Sequence, residues 1–291
     1  MLDFTCRTTD LDLDVSWVHG ARSQDPDDLA AAGPPIQVHS LDAHTYVLRQ
    51  NKTVHFEGPF LYLLLGADRA LLLDTGATAD PAAFPLRDTV DTIVGRWLED
   101  HPRPGYELVV AHSHAHGDHV AADAQFADRP DTVIVGTTVQ DVRSFFGFNT
   151  WPDAIVPFDL GSGRLLQVVG TPGHEDSAIA VHDAWSGILL TGDTVYPGRL
   201  YVFDVDAFTA SIERLVRFSA EHSVSHVMGA HIELDTSGRQ YPMGSLNQPD
   251  EPPIQQPVSV LSGVATAARS ADGHGSLHPG DGFVLVDLRD S

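Results

Sequence analysis

Within Ala111-His112-Ser113-His114-Ala115-His116-Gly117-Asp118-His119, four imidazoles and one carboxylate fall inside eight residues. Such density is costly as packing, because protonated rings repel and buried neutral rings each need a partner. A bound cation removes both problems, since neutral imidazole and carboxylate donate electron pairs to it. The competing reading, a solvated polar turn, is weakened by three further placements. His174 in Thr-Pro-Gly-His-Glu-Asp-Ser follows the apolar run LLQVVG, Asp193 in Leu-Thr-Gly-Asp-Thr follows GILL, and His231 ends HVMGAH. Each is a metal-capable side chain just past an apolar strand, where strand ends can converge.

The elements that must position these residues are legible as patterns. From Ile36 the runs IQVHS, HTYVLR, FLYLLLG and RALLLDT are short, β-prone and separated by polar or Gly/Pro breaks. Residues 84–99 read as a helix with Val90, Ile93, Val94 and Trp97 on one face. The buried-type strand 107–112 follows, then a short helix over 119–127, the strand 132–136 and a helical segment over 137–147. In the second half IVPF, LLQVVG, AIAVH and GILLT are four more strands. Asp206 is placed to cap a helix running to Glu221, with Phe208, Ile212, Leu215 and Ser219 on one stripe. HVMGAH is a strand, 233–257 a loop or arm rich in Pro, Gly and Gln, 258–268 a helix, and FVLVDL a last strand. Strands followed by helices, twice, suggest two sheets packed face to face with helices outside. Residues 1–35 read as an N-terminal extension, partly ordered at best. The catalytic domain is expected over 36–232, with 233–291 forming an arm and then the completing helix and strand.

Taken together, these motifs resemble the metallo-β-lactamase superfamily of metal-dependent hydrolases. The His-x-His-x-Asp-His signature is matched by His114, His116, Asp118 and His119. Asp74, in Leu-Leu-Leu-Asp-Thr-Gly, matches the early Asp motif, and His174, Asp193 and His231 match the later ligand motifs in order. The resemblance covers about residues 36–232. It implies a four-layer αββα sandwich of two mixed sheets with helices outside and a dinuclear centre at one edge. By that correspondence His114, His116 and His174 bind one divalent ion, Asp118, His119 and His231 bind the other, and Asp193 bridges both. Zinc is the default for such an N/O set, with Fe and Mn as alternatives. His112 is left over and is read as structural, and Asp74 as a hydrogen-bonding support for the ligand loop. The implied reaction is attack on a thioester, lactone or β-lactam carbonyl by a hydroxide bridging the metals, with Asp118 and Asp193 relaying a proton. No Gly-x-Ser-x-Gly context exists for a serine nucleophile. Tyr196 follows Asp193 at the spacing found in the lactonase branch and is an expected oxyanion donor.

Two regions are expected to shape the pocket. One is the loop 51–60, which contributes His55, Phe56 and Phe60. The other is the aromatic group Phe145, Phe146, Phe148 and Trp151, although aromatics are more often core than pocket. Arg199 and Tyr201 lie where they can hold a carboxylate or stack. The motifs look closest to glyoxalase II-like and lactonase-like branches. Glutathione thioesters are disfavoured because the tail, with Pro-Asp-Glu-Pro-Pro and few basic residues, does not resemble a basic glutathione-binding tail.

Composition limits the alternatives. The 291 residues carry 40 Asp+Glu, 17 Lys+Arg and a formal net charge of -23, which weighs against nucleic-acid partners and a ribonuclease or phosphodiesterase. The chain has 16 His and one lysine, Lys52. Cys6 is the one cysteine, so Cys-based zinc sites and internal disulfides are excluded. No apolar run reaches the about 18 residues that a membrane span needs. The acidic start has no signal-peptide character, and a cytoplasmic location is the default expectation. An iron-dependent oxidoreductase of the persulfide-dioxygenase type is the second reading; its mononuclear site contrasts with the full ligand set here. An RNA-processing nuclease on the same scaffold is the third, and a catalytically dead binding module the fourth. A small-molecule substrate is expected, and the arm is a candidate contact with a second subunit.

Overall fold

Two large sheets are built from the apolar runs, and the computed structural model describes them within residues 2–5 and 10–289. Cys6 lies outside the described residues. The first sheet contains β1 (Ile36–Asp42), β2 (Thr45–Gln50), β3 (Phe60–Leu65), β4 (Arg69–Leu73), β5 (Glu107–Ala111) and β6 (Thr132–Ile134), in sequential order. β1 to β4 form an antiparallel meander, and β4, β5 and β6 run parallel. The second sheet contains β7 (Ile155–Asp159), β8 (Leu165–Gly170), β9 (Ile179–Asp183) and β10 (Ile188–Gly192). Past β11 (Arg199–Val202) it is completed by β12 (His226–Gly229) and β13 (Gln255–Pro257), in the order β13-β12-β10-β9-β8-β7. A small third sheet joins β11 to β14 (Leu277–Gly280) and β15 (Phe283–Asp287).

Side-chain alternation along each strand produces the layers. Val47, Tyr62, Leu64, Leu71 and Val109 from the first sheet meet Leu166, Val168, Ile179, Val181 and Leu190 from the second. The opposite residues of the first sheet, Leu61, Leu63, Leu72 and Val110, pack on Val90, Ile93, Val94 and Trp97 of α2 (Leu86–Asp100). The outer face of the second sheet packs Val169, Ala180, Leu189 and Val227 on α5 (Val205–Glu221) and α6 (Val260–Arg269). The result is the expected four-layer αββα sandwich; the chain also forms α1 (Pro26–Ala31), α3 (Gly117–Val120) and α4 (Val139–Phe146), the last contributing Val142 and Phe146 to the core between the sheets. β3 is buried at every position, as a strand with two covered faces must be.

Several expectations are corrected. The helix over 119–127 is two pieces, α3 and a 3-10 turn at Asp123–Phe126. The cap of α5 is Asp204, which accepts from the Ala207 N–H at 2.9 Å, and Phe218 is buried in the stripe rather than Ser219. β11, β13 and β14 went unrecognised because they are short, and Pro257 and Pro279 sit within two of them. Described parts of the N-terminal segment are ordered against the sheets. Phe4 and Trp17 are buried against the rings of Trp185 and Phe60, and α1 is capped by Asp25.

Candidate metal centre

Strand register brings the first ligand loop into place. Leu73 pairs with Ala111, so Asp74 and His112 leave the sheet side by side. Asp74 takes φ 72, a conformation that Asp tolerates better than most residues. Its Oδ1 accepts from the Ser113 N–H at 2.6 Å, and its Oδ2 from Ser113 Oγ at 2.9 Å and His119 Nδ1 at 3.0 Å. β10 delivers Asp193 from across the interface. Gly192 is required there, since a Cβ would lie 2.5 Å from Ser113 Cβ and φ is +50. His174 follows β8, and His231 follows β12.

These elements gather two groups of donors: His114, His116 and His174, and Asp118, His119, Asp193 and His231. His116 Nδ1 lies 3.0 Å from both His114 Nε2 and His174 Nε2. In the other group, Asp118 Oδ2 is 3.3 Å from His119 Nε2 and 3.2 Å from His231 Nε2. Asp193 faces both groups. Its Oδ2 is 3.7 Å from His174 Nε2 and 4.0 Å from His114 Nε2, and its Oδ1 is 3.5 Å from His119 Nε2 and 3.3 Å from His231 Nε2. Donors on a tetrahedral ion with bonds of about 2.0–2.1 Å stand about 3.3 Å apart, close to these spacings. His119 Nε2 and Asp193 Oδ1 are buried with no hydrogen-bond partner, which a shared cation would satisfy. The donor set therefore fits two ions.

The opposite ring nitrogens are tied back, which leaves Nε2 for an ion. His174 Nδ1 donates to the Tyr201 carbonyl at 2.7 Å, and His231 Nδ1 to the Glu57 carbonyl at 3.3 Å. His114 Nδ1 lies 3.1 Å from Ser113 Oγ. The two groups differ electrostatically. Burial holds His114 well below the usual imidazole range and lowers His174, with neighbouring imidazoles adding to the effect. Burial also pulls on His119 and His231, but Asp74 and Asp193 on the first, and Asp193 and Asp118 on the second, overcome it and raise both. Asp118 and Asp193 are held low by those imidazoles, against the opposing effect of burial.

His112 is not brought to the donors. Its Nε2 lies 2.8 Å from Asp123 Oδ1, which also accepts from Thr75 Oγ1 at 2.7 Å and so ties the 3-10 turn to the strand ends. Tyr196 is buried with its ring 5.5 Å from that of His231. Its hydroxyl donates to the Arg199 carbonyl, a bond that an oxyanion donor would have to give up. The expected aromatic pocket is corrected. Phe60, Phe146 and Phe148 are buried in the layer between the sheets, and Trp151 is packed against it. The cavity of about 180 Å³ over the donors is walled instead by Glu57, Tyr196, Tyr201, Phe203 and Glu233. His55 stacks on Phe56 and lines neither cavity, and Phe56 and Arg199 line an adjoining hollow.

Glu57, Phe203 and Glu233 were missed. Glu57 sits inside the loop already singled out, and Glu233 is two residues past His231, but Phe203 carries no motif. Lys52 is also explained. It is 2% exposed, donates from Nζ to the Phe56 carbonyl at 2.9 Å and the Glu57 carbonyl at 3.3 Å, and so pins this loop. Burial, with Arg49 nearby, brings its ammonium down to about 8.

The αββα layers and the paired donor groups define a class, and the sequence agrees with it. The chain belongs to the metallo-beta-lactamase superfamily, whose profile matches residues 57–252. It is 31% identical over 167 residues to a hydroxyacylglutathione hydrolase of Synechococcus sp. (strain JA-2-3B'a(2-13)), covering 54% of this chain and 58% of the relative. It is 30% identical over 86 residues to the acyl-coenzyme A thioesterase MBLAC2 of Gallus gallus, covering 28% and 31%. The chain thus spans little more than half the length of the first of these relatives, and less of the second. Among solved structures, the metallo-beta-lactamase from Pontibacter korlensis superposes with TM-score 0.55 at 17% identity, over 81% of this chain and 100% of that one. TMB-1 gives 0.54 at 16% identity, over 83% and 100%. These likenesses establish the fold.

Proposed function

We propose that this chain is a dinuclear metal-dependent hydrolase, with zinc as the resident metal and a thioester as the bond cleaved. The observation that carries the reading is Asp193, whose two carboxylate oxygens face separate groups of imidazoles. The named activities of the relatives, both thioester hydrolases, favour a thioester over a lactone or β-lactam. When bound, the ions supply the Lewis acidity that makes hydroxide available at neutral pH and polarises a carbonyl. The protein's own part is orientation and proton handling. Asp118, at the floor of the cavity, takes the proton of the attacking water and passes it towards the leaving sulfur. Tyr196, Tyr201 and Phe203 wall the cavity and limit water around the reacting carbonyl.

The substrate is a small molecule in this reading, and the net charge keeps nucleic acid away. No helix among the described residues is long and apolar enough to cross a membrane. A cytoplasmic site of action remains part of the proposal.

The test is a panel of thioesters, lactones, β-lactams and phosphodiesters, run on metal-quantified protein with and without chelator. Thioester turnover that chelator abolishes is expected, with two zinc ions per chain. Asp193→Asn should lose affinity for both ions and cut turnover by about 100-fold or more. Phosphodiester turnover alone, or iron content with oxygen consumption, would overturn the proposal in favour of the nuclease or oxidoreductase alternatives.

A further inference from the structure

The mouth of the centre consists of two adjoining hollows, of about 180 and 50 Å³, which share Glu57, Tyr201 and Glu233. The larger opens onto the ligand residues. The smaller runs beneath the arm. Apart from histidine, the cationic side chains lining them are Lys52 and Arg199, and neither is available to a substrate. Arg199 is committed to Glu233, through Nη2 to Oε1 at 2.8 Å and Nε to Oε2 at 3.3 Å, and its Nη1 donates to the Tyr241 carbonyl at 2.9 Å. Lys52 is buried and bonded to the two loop carbonyls.

Among the side chains of this mouth outside the donor set, the charge left unpaired is therefore that of Glu57. The Glu57 carboxylate lines both hollows and makes no hydrogen bond among the described residues. A thioester carrier bearing carboxylates or phosphates would meet Glu57 with no free guanidinium or ammonium to receive it. The aromatic lining points the same way. Phe203 is 49% exposed, a high value for a large apolar side chain, and its ring centroid is 6.0 Å from that of His174. Tyr201 lines both hollows with Glu57, and Phe203 lines the larger. Accessible aromatic faces beside an unpaired carboxylate are the chemistry that receives an alkylammonium group. The -23 charge of the chain adds a long-range attraction of the same sign.

We propose that the substrate carries an alkylammonium group on its leaving side, seated against Glu57 and the faces of Tyr201 and Phe203. This rests on the hydrolase reading and narrows it to a substrate class.

The experiment compares three thioesters with one acyl group: those of thiocholine (cationic), N-acetylcysteamine (neutral) and 3-mercaptopropionate (anionic). Zinc-loaded protein is used at low and high salt. The expected kcat/KM is about tenfold higher for the cationic than for the neutral ester, with the anionic ester lower still. The cationic advantage should shrink as salt rises. In Glu57→Gln and Phe203→Ala the ratio of cationic to neutral turnover should fall towards one. Because that ratio is internal to each variant, a general loss of activity does not mimic it. Equal turnover of all three esters, or preference for the anionic one, overturns the substrate class and leaves the hydrolase standing. Failure to cleave any of the three overturns both.

Discussion

Four ligand-type histidines, His114, His119, His174 and His231, turn Nε2 towards the donor groups, whereas His116 turns Nδ1. This arrangement makes a statement about protons. His119 and His231 hold their protons to a higher pH than an ordinary imidazole, whose value is 6.5. In the ion-free chain they stabilise the fold fully below that value, and the contribution is lost as pH rises through their raised values. His114 and His174 are lowered, so their contribution has the opposite sign: protonating them as pH falls costs stability. Asp118 and Asp193 are held below their ordinary 3.8 in the ion-free chain by the facing imidazoles. Protons on His119 and His231 therefore occupy the place of cations and must leave when ions bind. Calorimetric zinc titrations at pH 7, in two buffers of different ionisation enthalpy, should report release of about two protons per chain, and affinity should climb with pH. Proton-neutral binding would show that both imidazoles are already neutral, and this account of the site would fail.

At the scale of elements, the two large sheets are joined by more than apolar contact. Arg164, 0% exposed, precedes β8 and donates to the His44 carbonyl at 2.6 Å, the Leu65 carbonyl at 2.7 Å and Thr45 Oγ1 at 2.8 Å in the first sheet. Its fourth partner is Asp183 of β9, at 2.7 Å. Removing Asp183 alone strands a buried guanidinium. Asp183→Asn should therefore destabilise the fold by about 3–5 kcal/mol in denaturant unfolding. The paired change Arg164→Met with Asp183→Leu should recover most of that loss, because both desolvation costs disappear together. A double variant as unstable as the single one would mean that the four-way anchoring of the sheets matters more than the uncompensated charge.

The whole molecule closes around the centre through its arm. Residues 233–257 supply Glu233 and the wall of the smaller hollow, and they are fastened by a buried pair. Arg49 of β2 donates to both oxygens of Glu251 at 2.6 Å, with its guanidinium over the Phe60 ring. Arg239, exposed on the arm, gives trypsin its target there. Glu251→Gln should speed cleavage after Arg239 several-fold while cleavage elsewhere is unchanged. An unaltered digestion pattern would mean that the contacts of the N-terminal segment, such as the Gly20–Asn247 bridge, hold the arm without this pair.

The candidate donors, which folding gathers into two groups, were legible in the sequence because metal chemistry is local in type. An ion demands imidazole and carboxylate at fixed spacing, and strand ends are where such residues stand out against apolar runs. The four layers were legible too, because alternation and helical stripes declare which faces must be covered. Asp74 was legible as a support through the match of Leu-Leu-Leu-Asp-Thr-Gly to the family's early Asp motif, although its bonds to Ser113 and His119 were not. The pocket could not be read in this way. Phe60, Phe146 and Phe148 carry the same side chain as Phe203, and their burial is set by which sheet faces meet, a property of long-range packing. Glu57, Tyr201 and Glu233 converge from three separate segments. Only the tertiary structure decided that they share one wall, and that Arg199 and Lys52 are already paired. The sequence by itself determined which side chains can hold the ions. Folding determined what charge a substrate meets on the way to them, because that charge is a sum over residues distant in the chain.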